Sequence, residues 1–411
     1  MKRYDVIIAG GGAIGLWTAW FMQKHGLDVL VIERDRAGNG CSWGNAGMIV
    51  PSHFIPLAAP GVVAKGLRWM FSAESPFSIT PRPDPALMDW LLRFAGHSNS
   101  RNVERSARLL LNLNLRSRDL YGTMSSKLGY KLHRKGLLIM FTTPHGEREE
   151  NDTLRKATRL GLEPEYYKGS ALRDFEPAVG EEVRGAVHYT SDAHTDPAEM
   201  MTALRKNLEG SIIYDPLIRF NTNGNEIISA VTAGGEYAAG NFVVAAGVWS
   251  GTLLRNLGIS LPLVGGKGYS FMVPAHTPIS TPAILSEARV AVTPLGSEIR
   301  FGGTMQIGKG LPGFTRGKLR GMTGSIGRYL PSYEMNGRVP EKVWAGLRPL
   351  SPDGLPYIGQ AGRFSNLFVG TGHAMMGISL APVTGELLAA AVTQRTMPEG
   401  WQQLSPGRFA K

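Results

Sequence analysis

The stretch YDVIIAGGGAIGLWTAWFMQKHGLDVLVIER, residues 4–34, decides the fold of this chain. Residues 6–9 form a short apolar run of the kind that a buried parallel strand uses, and the run leads directly into G-x-G-x-x-G at residues 10–15. A helical segment follows over residues 16–25, and the apolar run at residues 28–33 predicts a second strand. The stretch therefore predicts a complete β-α-β unit.

Each glycine of this motif has a physical task. Gly10 permits the tight turn, Gly12 lets the backbone approach a pyrophosphate without a clashing Cβ, and Gly15 allows the helix to pack closely on the strands. The helix N-terminus offers unpaired N–H groups and the positive end of its dipole to the phosphates. Glu33 lies 18 residues after Gly15, close to the spacing of roughly 20 at which an acid accepts hydrogen bonds from a ribose.

The alternative for a bare G-x-G-x-x-G is a chance cluster of glycines in a turn. Here the flanking strand, the helix, the second strand and the terminal acid are all present, which is the context that supports the motif. The stretch therefore predicts that the chain binds an adenine dinucleotide.

Composition limits the class of protein. The 411 residues suffice for two or three domains, and 43% hydrophobic with 19% charged residues is typical of a globular protein. No run of about 18 uninterrupted apolar residues predicts a transmembrane helix. Lys2 and Arg3 precede an apolar run, but Asp5 interrupts it, so we expect mature structure and a cytoplasmic protein. The single cysteine, Cys41, excludes an intramolecular disulfide and favours a reducing compartment.

The formal net charge of +11 raises the question of an anionic partner. The positive residues are dispersed apart from a modest cluster between residues 316 and 328, and no nucleic-acid-binding motif is present, so we expect a solvated basic face and no nucleic-acid partner. Peripheral association with the inner face of the cell membrane, or attraction of an anionic substrate, stays open. The nine histidines show no metal-binding spacing, and we expect no metal.

The remainder of the chain alternates helical and strand patterns. Residues 35–61 predict an extended loop able to lie along a cofactor, and the proline-rich residues 76–85 predict a crossing without regular structure. Helices are predicted over residues 102–128, 147–160, 197–208, 318–329 and 378–394. Strands are predicted over residues 136–143, 183–190, 211–214, 217–222, 227–233, 237–239, 241–246 and 367–369, and a glycine-rich turn over residues 370–377. Residues 261–273 and 290–303 supply further strands with hairpin signals.

Two further stretches are more specific than the glycine motif. They are CSWGNAGMIVPSHFIPLAAPGVVAKGLRWM at residues 41–70, and GLRPLSPDGLPYIG at residues 346–359 followed by GTGHAMMGISLAPVTGELLA at residues 370–389. With these stretches the chain resembles the D-amino-acid oxidase-like family of FAD-dependent oxidoreductases over nearly its whole length. The first stretch most resembles the bacterial D-amino-acid dehydrogenase branch.

The resemblance implies an α/β fold of two interleaved domains. An FAD-binding domain of the Rossmann-like, glutathione-reductase type would comprise residues 1–57, 190–260 and 345–411. A substrate domain with a mixed sheet would comprise residues 58–189 and 261–344. The cofactor implied is FAD, held non-covalently, because Cys41 does not match the attachment sites of the family's covalently flavinylated members.

The resemblance also implies a set of cofactor-binding residues. The pyrophosphate would contact Gly10, Gly12, Ala13, Ile14 and Gly15, and the adenosine ribose would contact Glu33, with Arg34 nearby. The flavin and its ribityl chain would contact Cys41, Ser42, Asn45, Ala46, Gly47 and Met48, and the adenine would contact the backbone of Leu217. The turn beneath the cofactor would comprise Ala245, Ala246, Gly247 and Trp249. Backbone N–H groups of Gly372, His373, Ala374, Met375, Met376, Gly377 and Ile378 would stabilise negative charge on the reduced flavin.

The activity implied is oxidation of a D-amino acid by hydride transfer from its α-carbon to flavin N5, giving an imino acid that hydrolyses to a 2-oxo acid when the amine is primary. The substrate carboxylate requires a planar cation, which arginine supplies bidentately. Arg348, close to the flavin, matches the family position, and its alternative role is an interdomain salt bridge. Tyr269 would add a hydroxyl to the carboxylate or shape the pocket, with a core tyrosine as the alternative, and His53 would contact the substrate.

Substrate and acceptor stay open at this level. Met48 and His53 depart from the commoner dehydrogenase loop and suggest a cyclic substrate such as D-proline or a hydroxy-D-proline. The electrons would pass to an acceptor other than oxygen, namely a quinone, a carrier protein or a partner subunit. The alternatives are an oxidase of glycine or sarcosine type that produces hydrogen peroxide, a non-catalytic FAD-carrying subunit of a larger complex, and an NAD-dependent dehydrogenase.

Overall fold

A computed structural model describes residues 2–38, 40–69, 74–80, 83–308, 310 and 313–410. Its strands are β1 Arg3–Ala9, β2 Val29–Glu33, β3 Met48–Ile49, β4 Phe77–Ile79, β5 Leu137–Phe141, β6 Glu165–Lys168, β7 Gly185–Tyr189, β8 Ala193–His194, β9 Ile212–Tyr214, β10 Leu217–Asn223, β11 Glu226–Thr232, β12 Glu236–Val244, β13 Val264–Pro274, β14 Ala283–Leu285, β15 Val290–Leu295, β16 Glu298–Ile307, β17 Trp344–Leu350, β18 Tyr357–Gln360 and β19 Leu367–Thr371. Its α-helices are α1 Ala13–Lys24, α2 Val62–Trp69, α3 Pro85–His97, α4 Ser100–Leu128, α5 Pro144–Arg159, α6 Ser170–Phe175, α7 Pro197–Asn207, α8 Ser250–Arg255, α9 Arg316–Ile326 and α10 Ala381–Val392.

The first sheet is built around the N-terminal β-α-β unit. Its strand order is β10-β11-β12-β1-β2-β9, with β19 pairing with β12 and β18 pairing with β19. β1 runs parallel to both β2 and β12, and α1 connects β1 to β2. α1 packs against α10 so closely that a Cβ on Gly385 would lie 2.6 Å from the main chain of Trp17. This contact ties the C-terminal helix to the N-terminal motif.

The second sheet is mixed and has the order β17-β13-β16-β15-β14-β5-β7-β6, with β4 added parallel to β16. Most neighbours are antiparallel, whereas β14 and β5 run parallel. A two-stranded ribbon of β3 and β8 pairs Met48 with His194. The two sheets together confirm the predicted α/β fold class.

Two predictions of local structure were wrong. The strands predicted separately at residues 237–239 and 241–246 form the single strand β12, because Gly240 is exposed and leaves the ladder intact. The proline-rich residues 76–85 contain β4, which pairs with β16, and α3 begins at Pro85 with Asp84 as its N-cap. Proline fits the first position of a helix because its missing N–H would have no intrahelical partner there. Pro81 and Arg82 of the same segment lie outside the described residues.

The predicted division into domains stays a prediction. The boundary expected between residues 344 and 345 falls at the start of β17, which hydrogen-bonds to β13 of the second sheet. Within the described ranges, no helix combines the length and the apolar character needed to cross a membrane.

Candidate active site

A long cleft lies at the carboxyl ends of β1, β2, β12 and β19, where ligands bind in open α/β sheets. The loop after residue 40 and the edge strand β17 complete its walls. The predicted residues that line it are Gly10, Gly12, Ala13, Ile14, Glu33, Arg34, Cys41, Ser42, Asn45, Leu217, Ala245, Ala246, Gly247, Trp249, His373, Ala374, Gly377 and Ile378. The fold therefore brings together residues that are up to 368 positions apart in the sequence.

The glycine turn has the geometry that the motif predicts. Gly10 has φ +114°, and a Cβ there would lie 2.6 Å from the carbonyl oxygen of Ala245. A Cβ on Gly15 would lie 1.8 Å from the carbonyl oxygen of Gly10, so α1 reaches the strands only because residue 15 is glycine. By contrast, a Cβ on Gly12 would meet only the Oγ of Ser42, at 3.4 Å. The helix N-terminus is therefore open on the side of the cleft, as a pyrophosphate requires.

Charged side chains lie at the end of the cleft next to β2. The Glu33 carboxylate accepts hydrogen bonds from the N–H of Gly11 at 2.5 Å and the N–H of Asp35 at 3.2 Å. The Arg34 guanidinium lies 4.1 Å from the centre of the Trp249 ring, a cation–π arrangement. Glu33 thus joins β2 to the glycine turn while facing the cleft, and its contact with a ribose stays a prediction.

Residues 41–48 divide at the middle of the segment. Cys41, Ser42 and Asn45 line the cleft, and the Ser42 hydroxyl accepts a hydrogen bond of 2.9 Å from the N–H of Ala13. The chain turns away at Gly47, which has φ +75° and would place a Cβ 2.0 Å from the carbonyl oxygen of Thr195. Consequently Ala46, Gly47 and Met48 do not line the cleft, and Met48 pairs with β8 in the core.

The loop before α10 supplies fewer free donors than predicted. The N–H of Ala374 donates to the carbonyl oxygen of Pro349 at 2.8 Å, and the N–H of Met376 donates to that of His373 at 2.9 Å. Gly372, Met375 and Met376 do not line the cleft, and Met375 is exposed. Gly377 and Ile378 do line it, and their N–H groups donate to no other described residue. Negative charge on a bound cofactor can therefore meet donors at these two residues.

Arg348 itself is not among the residues that line the cleft; it lies on β17 between Leu347 and Pro349, which both line it. Its guanidinium donates one hydrogen bond, 2.7 Å long, to the carbonyl oxygen of Thr304. Among the described residues it has no carboxylate partner within 4.0 Å, so the predicted alternative of an interdomain salt bridge is wrong. Burial lowers the pKa of Arg348 and raises the pKa of the Cys41 thiol, and the nearby guanidinium opposes the second shift.

The structure does not bring Tyr269 to the cleft. Its side chain is fully buried, and its hydroxyl donates to the Gln306 side chain and accepts the N–H of Thr315 at 3.0 Å. In the β13–β17 pairing Gly266 lies opposite Arg348, and residue 269 is three positions further along. Because side chains alternate between the faces of a sheet, Tyr269 and Arg348 point to opposite sides. The complete burial of Tyr269 and its hydrogen bond to Gln306 make it a core tyrosine.

His53 is also absent from the cleft lining. Its Nδ1 lies 3.1 Å from the hydroxyl of Ser52, which donates a 2.5 Å hydrogen bond to the buried carboxyl of Asp192. Burial lowers the pKa of His53 to about 4 and raises the pKa of Asp192 to about 7. The imidazole is therefore neutral at neutral pH.

Sequence reasoning missed Trp43 and Arg205, which both line the cleft. Arg205 lies in the last turn of α7, its guanidinium is 4.8 Å from the Trp43 ring centre, and it donates to the carbonyl oxygen of Arg36 at 3.2 Å. A cation in a last helical turn is common for reasons of helix stability alone. No signal in the sequence distinguished this one.

Comparison with curated proteins gives full-length matches. The chain is 32% identical to the D-amino acid dehydrogenase of Methylobacterium radiotolerans over 98% of this chain and 99% of that protein. It is 29% identical to the D-amino acid dehydrogenase of Granulibacter bethesdensis, again over 98% and 99%.

Solved structures share the fold. Glycine oxidase from Geobacillus kaustophilus superposes with a TM-score of 0.81 at 23% identity and full coverage of both chains. L-proline dehydrogenase from P. horikoshii gives a TM-score of 0.75 at 20% identity over 99% of this chain and 98% of that chain.

The family of FAD-dependent oxidoreductases matches residues 5–391. Its cofactor is FAD, which rules out the NAD-dependent alternative, and the residues of the cleft fit this group. The chain therefore belongs to the FAD-dependent oxidoreductase family.

Proposed function

We propose that the protein oxidises D-amino acids to imino acids, which hydrolyse to 2-oxo acids when the amine is primary, and passes the electrons to an acceptor other than oxygen. The observation that carries the proposal is Arg348, a half-buried guanidinium beside the cofactor cleft with no carboxylate partner among the described residues. A cation that is partly removed from water and has no counter-ion is costly unless a ligand supplies the opposite charge. The names of the two curated relatives support the D-amino acid as that ligand.

Arg348 would bind the substrate carboxylate bidentately. An arginine carries five N–H donors, and one of them is used by the Thr304 carbonyl, so two parallel bonds to a carboxylate remain available. FAD, when bound, supplies the acceptor for the two electrons and the hydrogen that the substrate α-carbon loses. The cation fixes the substrate, and this positioning is the main contribution that such a site makes to the rate.

The chain also fixes the loop that closes the cleft. The hydroxyl of Ser270 donates to the carbonyl oxygen of Gly44 at 2.8 Å, and Arg300 Nη1 donates to that of Asn45 at 2.6 Å. These bonds hold the loop against the second sheet and limit the access of water. His373, on the cleft wall, is kept neutral because burial lowers its pKa to about 3. We propose that the substrate reacts as the neutral amine without a strong base.

FAD would be held by the cleft residues without a covalent bond. Gly10, Gly12 and Ala13 would contact the pyrophosphate, Glu33 the adenosine ribose, and Gly377 with Ile378 the flavin. The discontinuous FAD-binding and substrate domains of the sequence analysis form part of this proposal. Their division follows the two sheets except at β17.

A cyclic substrate such as D-proline or a hydroxy-D-proline is a finer proposal. Its motive is the presence of Met48 and His53 in the sequence, and neither side chain lines the cleft. It therefore rests on the sequence resemblance. Faster oxidation of acyclic D-alanine than of every cyclic substrate would contradict it.

Anaerobic bleaching of the flavin by a panel of D- and L-amino acids tests the function. We expect complete bleaching by at least one D-amino acid and none by its L-enantiomer. Bleaching by L-enantiomers, or by glycine and sarcosine alone, would overturn the proposal. Under air, hydrogen peroxide formed at the rate of turnover would identify an oxidase instead of a dehydrogenase. Unchanged turnover of an assembled complex that carries Arg348→Ala would identify a non-catalytic FAD-carrying subunit.

A further inference from the structure

Two glycines of the second sheet lie beneath large side chains. These side chains face the loop that follows residue 40 and lines the cleft. A Cβ on Gly268 would lie 2.0 Å from Nη1 of Arg348, and a Cβ on Gly346 would lie 2.1 Å from the indole of Trp344. A Cβ on Gly44, in the loop, would lie 2.0 Å from the same indole. The guanidinium and the indole therefore lie flat on glycine positions of the sheet.

Arg348 reaches across one strand to the carbonyl oxygen with which it forms its hydrogen bond among the described residues. Its own strand β17 pairs with β13, and β13 pairs with β16, which carries Thr304. The side chain passes over Gly268 of β13 on the way. Any side chain at this position would occupy the space that the guanidinium fills.

Thr304 has an unusual conformation. Its φ is +64°, and for a β-branched residue this is a genuine outlier. The pairing of β13 with β16 explains it, since Lys267 lies opposite Gln306 and Tyr269 lies opposite Gly303. Two residues of β16, Thr304 and Met305, therefore face one residue of β13, which is a β-bulge.

The bulge turns the Thr304 carbonyl oxygen toward Arg348, where it accepts the 2.7 Å hydrogen bond. The Thr304 hydroxyl is buried and has no partner among the described residues. At the bulge, Thr304 has a strained backbone and an unsatisfied hydroxyl, and both cost stability. The contact formed at the same residue is the hydrogen bond to Arg348. Strain of this kind is found at functional sites, where it is part of the arrangement of the site.

We propose that Gly268 and Thr304 are positioning residues that hold the Arg348 guanidinium flat on the second sheet, with its remaining N–H groups available to a substrate carboxylate. This inference rests on the proposed function, because it takes Arg348 as the carboxylate-binding residue. Gly268 acts by its lack of a side chain, and Thr304 acts through its main-chain oxygen.

Gly268→Ala tests the first part on the FAD-loaded protein. The added methyl would meet the end of a flexible side chain, so we expect the protein to fold and the guanidinium to be displaced. The readout is the dissociation constant of propionate, which has a carboxylate and no amine and cannot be oxidised as an amino acid. It is measured by the change in the flavin absorption spectrum. We expect a rise of about tenfold or more, with the FAD content unchanged.

Gly302→Ala is the matched control on β16, because its Cβ would meet nothing closer than 3.7 Å. We expect its propionate affinity to stay within about threefold of the parent value. The same Gly268→Ala change in an Arg348→Met background distinguishes an effect on the position of Arg348 from a general disturbance of the site. If Gly268 acts through Arg348, the second change adds no further loss, since the two residues act as a unit. An equal loss in both backgrounds would overturn the proposal.

Thr304→Gly tests the second part, because glycine adopts φ +64° without strain and keeps the carbonyl oxygen. We expect propionate affinity within about threefold of the parent value. A loss as large as that of Gly268→Ala would show that the hydroxyl acts, and would overturn the role of the carbonyl. Failure of the parent protein to bind propionate would overturn the inference itself. Failure of every D-amino acid to bleach the flavin, with propionate binding intact, would overturn only the proposed function.

Discussion

The N–H of Gly11 donates a 2.5 Å hydrogen bond to the carboxylate of Glu33, so the end of β2 is tied directly to the glycine turn that follows β1. The same carboxylate accepts the N–H of Asp35. One side chain therefore joins the end of β2 to the glycine turn after β1, at the end of the cleft where the adenosine is predicted to bind.

Glu33→Gln should weaken FAD binding by about tenfold. Gln keeps the shape of the side chain but has only one acceptor oxygen, so one of the N–H groups of Gly11 and Asp35 loses its acceptor. The bond that remains loses its charge, and a hydrogen bond to a charged group contributes about 1.5–3 kcal/mol. The check is the dissociation constant of FAD, measured by flavin fluorescence. The exposed Glu163 provides the control, and Glu163→Gln should leave FAD affinity unchanged. An equal affinity in both variants would contradict the role of Glu33.

Arg348→Lys should raise the KM for the amino acid by about tenfold or more, and Arg348→Ala should lower kcat/KM by roughly a hundredfold or more. Lysine keeps the charge but lacks the planar fork that binds a carboxylate bidentately. Steady-state kinetics with an artificial electron acceptor provide the check. FAD content should be unchanged, and Arg184→Ala, at an exposed ion pair with Glu147, should behave as the parent. A normal KM in Arg348→Lys would show that charge alone suffices.

Asp192→Asn should stabilise the protein above pH 7. Burial raises the pKa of this carboxyl to about 7, compared with an ordinary value of 3.8. The unfolded chain therefore releases the proton at lower pH than the folded chain, and stability falls as pH rises from about 4 to about 7. Asn is uncharged like the neutral acid, and its Oδ1 still accepts the N–H of Ser52, while its N–H₂ group replaces the oxygen to which the Ser52 hydroxyl donates, so that hydroxyl must turn and accept. We expect a gain of about 1 kcal/mol or more at pH 8, since one unit of pKa is about 1.4 kcal/mol.

Urea denaturation of both proteins between pH 4 and pH 8 measures this difference. At pH 4 the variant and the parent should be equally stable. A variant that equals the parent at pH 4 and is less stable than the parent at pH 8 would show that Asp192 is needed as a carboxylate.

His194→Phe should make the protein less sensitive to acid. The ring of His194 is buried, stacks on His133 with a centroid separation of 4.8 Å, and has a pKa lowered by burial to about 4. For a histidine with a depressed pKa, stability is present above its unfolded value of about 6.5 and is lost as pH falls toward 4. Phe keeps the stacking and does not titrate.

The measurement is the midpoint of thermal unfolding at pH 7 and at pH 4.5. The difference between the two midpoints should be smaller in His194→Phe than in the parent. The exposed His145 serves as the control, and His145→Gln should keep the difference of the parent. A larger difference in His194→Phe would contradict the assignment.

Local patterns in the sequence predicted the N-terminal part of the cleft. Strand, glycine turn, helix and terminal acid are contiguous, and each is set by the period of apolar residues or by the backbone freedom of glycine. Gly10 and Gly15 therefore lie where the motif predicts, and the family resemblance of residues 41–70 and 346–389 correctly indicated FAD.

Only the tertiary structure decided which residues reach the cleft and which leave it. Met48 leaves because Gly47 turns the chain into a ribbon with β8, and Tyr269 faces the core because strand register sets its side of the sheet. The position of the Arg348 side chain depends on its hydrogen bond to Thr304, which lies in a bulge between β13 and β16. Register and bulges arise from long-range pairing, and the sequence of one strand alone does not determine them.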